Sequence, residues 1–168
     1  MHKPNKQAIV LGGSIAGLLA ARVLSQHFDQ ITVIERDALP ETTEPRKGAP
    51  QGRHLHALLA RGYQTLLTLF PGFKTDLLAA GAVISDIAND VYWYQGGHYS
   101  VNFKSGIDAV FISRPALEQL IRRRVLALPN VTLRSSCAVD ALTTRADQQQ
   151  VTGVTLQDRQ TGQTETLR

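Results

Sequence analysis

Cysteine is nearly absent from this chain: Cys137 stands alone among 168 residues. An internal disulfide is therefore excluded, and a reducing compartment, the cytoplasm, is the expected location. Within its predicted strand, Cys137 reads as a buried, inert thiol. Long apolar runs are missing as well. None approaches the ~20 residues that a membrane span needs, and MHKPNKQ leads straight into a strand with no separate apolar region before a cleavage site. Neither a membrane span nor a signal peptide is expected. A strong excess of charge is also lacking, the net charge being +4. The only basic run, Arg122-Arg123-Arg124, sits on a predicted helix with no interleaved aromatics, which favours a solvated face over a nucleic-acid surface. There is no internal repeat and no spacing of Ser, His and Asp that argues for a nucleophile. His54 and His56, two apart on a predicted helix, face different ways with no acid or thiol at ligand spacing, so no metal is expected. The 43% hydrophobic content can bury a core in what is about one domain.

The most informative stretch present is AIVLGGSIAGLLAARVLSQHFDQITVIER, residues 8–36. Ala8–Leu11 is a short apolar run of the kind buried in a parallel sheet. Gly12 and Gly13 turn the chain, and a helix is predicted from Ser14 to His27, with Ile15, Leu18, Leu19, Val23 and Leu24 at helical spacing. Ile31–Ile34 forms the second strand and Glu35 closes it. A strand, a glycine turn, a helix and a strand ending in an acid together hold the adenosine half of a dinucleotide. The helix start offers amides and a positive dipole end to phosphate. The dinucleotide pattern calls for glycine at positions 12, 14 and 17; Ser14 replaces the second, which weakens the match without breaking it. An acid at position 35 suits ribose hydroxyls and disfavours a 2′-phosphate, making NADP the poorer ligand here. The spacing does not choose between FAD and NAD.

Residues 37–53 are a predicted irregular loop carrying Arg46, Lys47, Gln51 and Arg53, and long loops of this kind are usually functional or mobile. A helix is predicted from His54 to Phe70, stopped by Pro71-Gly72, and a short one from Lys74 to Ala80, capped by Gly81. A β-rich region, 83–112, follows, with runs at 82–84, 91–94, 99–103 and 109–112. Tyr92, Trp93 and Tyr94 read as strand packing, with a substrate-pocket wall as the alternative. Ser113-Arg114-Pro115 opens a further helix. Strands at 131–133 and 138–139 precede a hairpin of 151–156 and 164–167 around Arg159–Gly162.

Four stretches together resemble the class A flavoprotein monooxygenases, the FAD-dependent oxidoreductases of the aromatic-hydroxylase and epoxidase type. They are GGSIAGLLAARVLSQHFDQITVIERD at 12–37, PRKGAPQGRHLHALLARGYQTLLTLFPGF at 45–73, ISRPALEQLIRRRV at 112–125, and the VTGVTL and TGQTETLR strands. The resemblance implies an α/β, Rossmann-like βαβ dinucleotide-binding fold with an additional β-strand region. It makes 1–168 an FAD-binding domain, truncated before the C-terminal half, and incomplete as an enzyme on its own. Gly12, Gly13, Ser14, Ala16 and Gly17 would hold the FAD pyrophosphate. Glu35 would bind the adenosine ribose with Arg36 beside it, Arg114 would reach pyrophosphate or ribose, and Val139 would touch adenine through its backbone. Arg46 and Gln51 would lie in the loop approaching the flavin.

The implied chemistry is delivery of one oxygen atom, through a flavin hydroperoxide, to an aromatic or alkene small molecule, with NAD(P)H a candidate electron donor. That step belongs to the cofactor, so no catalytic acid, base or nucleophile is nominated. Two alternatives stay open: an NAD(H)-binding dehydrogenase domain, and an inactive fragment with only a partner-binding role. An incomplete sheet would leave an open edge inviting self-association, or a surface for the missing C-terminal half.

Overall fold

The computed structural model describes residues 6–39, 42–44, 49–54 and 56–168, with Gln51 described through its backbone alone. The elements run β1 (Gln7–Leu11), α1 (Ile15–Leu24), β2 (Gln30–Ile34), a 3-10 turn (Pro50–Arg53), β3 (Ala57–Leu58), α2 (Ala60–Leu69) and α3 (Phe73–Ala79). They continue with β4 (Val83–Asp86), β5 (Tyr94–Gln95), β6 (His98–Tyr99), β7 (Asp108–Phe111), α4 (Arg114–Leu126), β8 (Val131–Arg134), β9 (Cys137–Thr144), β10 (Val151–Asp158) and β11 (Thr164–Leu167). The chain divides into two units. One comprises 1–50 with 121–168, the other 51–120, and α4 starts in the second and ends in the first.

The first unit is built on the predicted strand–helix–strand. β1 and β2 run parallel with Val10 opposite Val33, and β8 joins β2 on its other side, also parallel, with Val33 opposite Leu133. The apolar runs of β1 and β2 bury Val10, Ile31, Val33 and Ile34, and α1 contributes Leu18 and Ala21 to the same core. α1 is shorter than the predicted 14–27. Its regular helix ends at Leu24, and a final tight turn brings the His27 amide onto the Leu24 carbonyl. The amide side chain of Asn130 then donates to the Ser25 and Phe28 carbonyls, both at 2.9 Å, satisfying acceptors that a helix end leaves without partners. β9, β10 and β11 form an antiparallel sheet in the order β11-β10-β9. Its Val154, Leu156 and Cys137 pack with Ile34 of the parallel sheet.

In the second unit, β7 lies between β3 and β4, antiparallel to both. Tyr63 and Leu66 of α2 and Phe73 and Leu77 of α3 are buried, and Phe70 meets Phe73 with ring centroids 5.5 Å apart. Phe70 precedes Pro71 and is extended, as the proline ring requires of its neighbour. α3 ends at Gly81, whose φ of +80° suits glycine; its amide bonds the Leu78 carbonyl while the Ala82 amide bonds that of Leu77, a Schellman end.

Two expectations fail here. The helix predicted from His54 begins only at Ala60, because Ala57 and Leu58 pair instead with Phe111 and Val110. Tertiary pairing overrides helical periodicity, and the alternation His-Leu-His-Ala-Leu at 54–58 is a strand signal that the longer helical pattern masks. His54 and His56 therefore lie off any helix, with His56 Nδ1 2.8 Å from the His54 carbonyl oxygen. The aromatic run is the second failure. Tyr92, Trp93 and Tyr94 do not pack into a strand core but are all exposed, and the regular strands there are only the two-residue β5 and β6.

Candidate functional site

The turn after β1 is shaped by contacts that only glycine permits. Gly12 has a φ of +99°, and its amide bonds the Ile34 carbonyl at 2.8 Å, which ties the turn to the end of β2. A Cβ on Gly17 would sit 1.8 Å from the Gly12 carbonyl oxygen, so α1 can approach the turn this closely only because residue 17 has no side chain. Around Gly12, by contrast, a Cβ would meet nothing within 4 Å. The space above the turn is open to a ligand. Ser14 is the extended N-cap of α1, and its hydroxyl does not cap the helix. The first turn contains no acidic residue, so no carboxylate of the helix itself neutralises the positive end of its dipole. Ala16 is exposed on that turn.

Glu35 is a buried carboxylate. Its Oε2 accepts from the Gly13 amide at 2.7 Å and its Oε1 from the Asp37 amide at 2.9 Å. The acid thus clasps the glycine turn on one side and the departing chain on the other. A Cβ on Gly13 would come within 3.0 Å of the Glu35 Cβ, so the small residue lets the carboxylate close on the turn. Arg36 is exposed and pairs loosely with Asp37 at 3.8 Å.

The link between β8 and β9 completes the site. Ser136 adopts a φ of +58°, uncommon for a residue with a side chain. Three backbone bonds hold it there: the Ser136 amide to Asp37, the Cys137 amide to Glu35, and the Arg159 amide to the Ser136 carbonyl. The sharp turn swings β9 across the end of β2. The result is a cleft of about 240 Å³ lined by Leu11, Gly12, Ser14, Ile34, Glu35, Arg36, Cys137 and Val139. That is smaller than the ~300–1,000 Å³ of a pocket enclosing a whole small molecule.

Of the residues expected from sequence, Gly12, Ser14, Glu35, Arg36 and Val139 converge on this cleft. Gly13 and Gly17 shape it from behind. Arg114 is the first residue of α4, half-buried, in the second unit. Gln51 lies in the 3-10 turn with only its backbone described, and Arg46 lies outside the described residues. Sequence reasoning missed Cys137 as a lining residue and the Asp37 amide as the second partner of Glu35. Nothing local marks Cys137. Among the described residues no cluster of His, Cys, Asp and Glu could hold a metal, and no helix is long and apolar enough to cross a membrane.

No protein-family model matches the chain. It is 43% identical over 164 residues to Protein Rv3254 of Mycobacterium tuberculosis (strain ATCC 25618 / H37Rv), a match spanning 95% of this chain and 34% of that protein. The chain therefore spans about a third of the length of this curated relative. Among solved structures, PqsL, a probable FAD-dependent monooxygenase from Pseudomonas aeruginosa, superposes with a TM-score of 0.67 at 15% identity, covering 95% of this chain and 39% of PqsL. The flavin-dependent monooxygenase PieE, solved in complex with FAD and substrate, gives 0.65 at 22% identity, covering 97% of this chain and 28% of PieE. The Y270F mutant of MHPCO gives 0.64 at 21% identity, covering 96% and 37%. At these identities the likeness is one of fold: the chain has the mixed helix and strand architecture of part of these flavin monooxygenases.

Proposed function

We propose that this chain binds the adenosine half of FAD through a Rossmann-like βαβ unit and forms the flavin-binding portion of a flavin-dependent oxidoreductase of the monooxygenase type. The observation that carries the reading is the cleft over the 12–17 turn, with the Glu35 carboxylate and the start of α1 opening into one space. The residues fit the group. Gly12 leaves room for a pyrophosphate to approach the backbone, the α1 amides and dipole face it, and Ser14 can add a hydroxyl donor. Glu35 would take the ribose hydroxyls on its carboxylate oxygens, each of which can accept more than one hydrogen bond, and would repel a 2′-phosphate. Val139 and Leu11 would supply apolar contact to adenine, with the Arg36 guanidinium at the rim. Arg114 would add a permanent cation for the phosphates, and Arg46 and Gln51 would approach the flavin side.

Bound FAD would supply activation of oxygen and transfer of one oxygen atom to an aromatic or alkene substrate, with NAD(P)H as the electron donor. The chain's own residues bind, orient and shield. The test is a visible absorbance spectrum of the purified protein before and after incubation with FAD and desalting, followed by competition with NADH and NADPH. Retained flavin absorbance supports the reading. A colourless protein that recovers no FAD, or one that binds NADH and not FAD, overturns it in favour of a partner-binding fragment or an NAD(H) domain respectively.

A further inference from the structure

Ser136 is held at a φ of +58°, a left-handed conformation that a residue with a side chain does not choose for itself. Cys137 and Val139 follow it and line the cleft, so the placing of that wall depends on a conformation that the surroundings impose. Two of the bonds that impose it tie the Ser136 amide to Asp37 and the Cys137 amide to Glu35, just beyond the end of β2. The third comes from a distant part of the chain. The Arg159 amide, in the turn between β10 and β11, donates to the Ser136 carbonyl at 2.8 Å.

That turn is built to present this amide. Asp158 Oδ1 accepts from the Gln160 amide at 2.8 Å and from the Thr161 amide at 2.9 Å. Gly162 closes the turn at a φ of +75°, with its amide on the Asp158 carbonyl. The Thr161 amide first, and the Gln160 amide after it, hold the Asp158 carboxyl below its ordinary range. An aspartate that bonds its own chain two and three residues on stiffens the turn it opens. Arg159 lies inside this loop, and its Nη1 also reaches the Arg36 carbonyl at 3.4 Å. The turn therefore braces the cleft at Arg36 and at the residue before Cys137, while neither Asp158 nor Arg159 is among the described residues that line it.

We propose that Asp158 is a positioning residue for nucleotide binding: by stiffening the β10–β11 turn it aims the Arg159 amide at Ser136, and so sets the Cys137–Val139 wall against which the adenosine half lies. The proposal rests on the reading that the cleft takes adenosine, and adds to it a dependence on a hairpin turn outside the cleft. Without the brace, Ser136 relaxes toward ordinary backbone. Only the left-handed fraction then binds, and affinity falls in proportion to that fraction. The linkage is reciprocal, so a bound nucleotide also tightens the turn.

Calorimetric titration of the chain with ADP, which carries adenosine and both phosphates, reads the effect. D158A should weaken ADP binding about tenfold, whereas D158N, which keeps the Oδ1 acceptor, should stay within about twofold of wild type. D147A removes a like acceptor from the β9–β10 turn, where Asp147 Oδ1 takes the Gln149 amide at 3.1 Å, and should leave ADP affinity unchanged. Glycine adopts the left-handed conformation without steric cost, so in an S136G background the D158A penalty should shrink to about twofold or less. A general loss of stability would weaken binding equally in both backgrounds. In the wild-type chain, hydrogen exchange followed by NMR should show ADP slowing the Arg159 amide and not the Gln149 amide, a measurement that needs no variant to fold. Equal ADP affinity of D158A and wild type overturns the positioning role, as does a like loss in D147A, a penalty undiminished by S136G, or an Arg159 amide indifferent to ADP. A folded wild-type chain that binds neither ADP nor FAD overturns the adenosine reading itself, and this proposal with it.

Discussion

Replacing Glu35 by Gln separates a clasp from a mere ligand contact. The wild-type carboxylate accepts two backbone amides in a buried setting, from Gly13 at 2.7 Å and Asp37 at 2.9 Å. A hydrogen bond to a charged group contributes about 1.5–3 kcal/mol, and a buried donor left without an acceptor costs about 1–3 kcal/mol. Gln can satisfy one amide with its oxygen, but then turns its own NH2 toward the other. The expected loss is therefore about 2–3 kcal/mol in the ligand-free protein, a shift of roughly 30- to 150-fold in the unfolding equilibrium. With a urea slope of about 2 kcal/mol/M, the midpoint should fall by about 1–1.5 M. Glu35→Ala, which removes both acceptors and opens a gap, should fall further. FAD retention should drop in both, because the turn is no longer held against β2. Urea denaturation of the ligand-free protein, followed by circular dichroism, is the deciding assay. An E35Q midpoint equal to wild type would refute the clasp, and would leave Glu35 at most a contact made after the ligand arrives.

Gly17→Ala should destabilise the protein by about 3 kcal/mol and abolish FAD retention, since its Cβ would meet the Gly12 carbonyl at 1.8 Å and backbone must move; unchanged thermal stability would count against the close approach of turn and helix. Hydrogen bonds, that from the Ser105 hydroxyl first, hold the Asp86 carboxyl down to about 2 from its usual 3.8. A carboxylate with a depressed folded pKa adds stability that is complete above its unfolded value and fades as pH falls through the folded one. The aromatic β5–β6 ribbon, fastened at its base by these bonds, should therefore stay in place down to about pH 4 and loosen between there and pH 2, read from Trp93 fluorescence, and D86N should remove that transition; a transition centred near pH 6 would contradict the assignment.

The local units of this protein are legible in its amino-acid order. β1, the glycine turn, α1, β2 and Glu35 follow one another within a single stretch. Each is specified by neighbours: apolar runs for strands, 3.6-residue spacing for the helix, and glycine where the backbone reaches φ +99° or where α1 meets the turn. The same locality makes Pro71-Gly72 and Gly81 readable as stops, and the 151–167 hairpin readable from its turn. Pairing across the chain is not legible. Ala57 becomes strand only because Phe111 lies beside it, and a helical pattern at 54–70 cannot report so distant a partner. Cys137 and Val139 join the cleft because Ser136 bends the chain into a left-handed conformation that bonds to Glu35, Asp37 and Arg159 stabilise, a choice made by packing rather than by serine's own preference. The aromatic ribbon resembles core by composition. Its exposure is decided by tertiary structure, since the Asp86 fastening holds the rings in place without covering them.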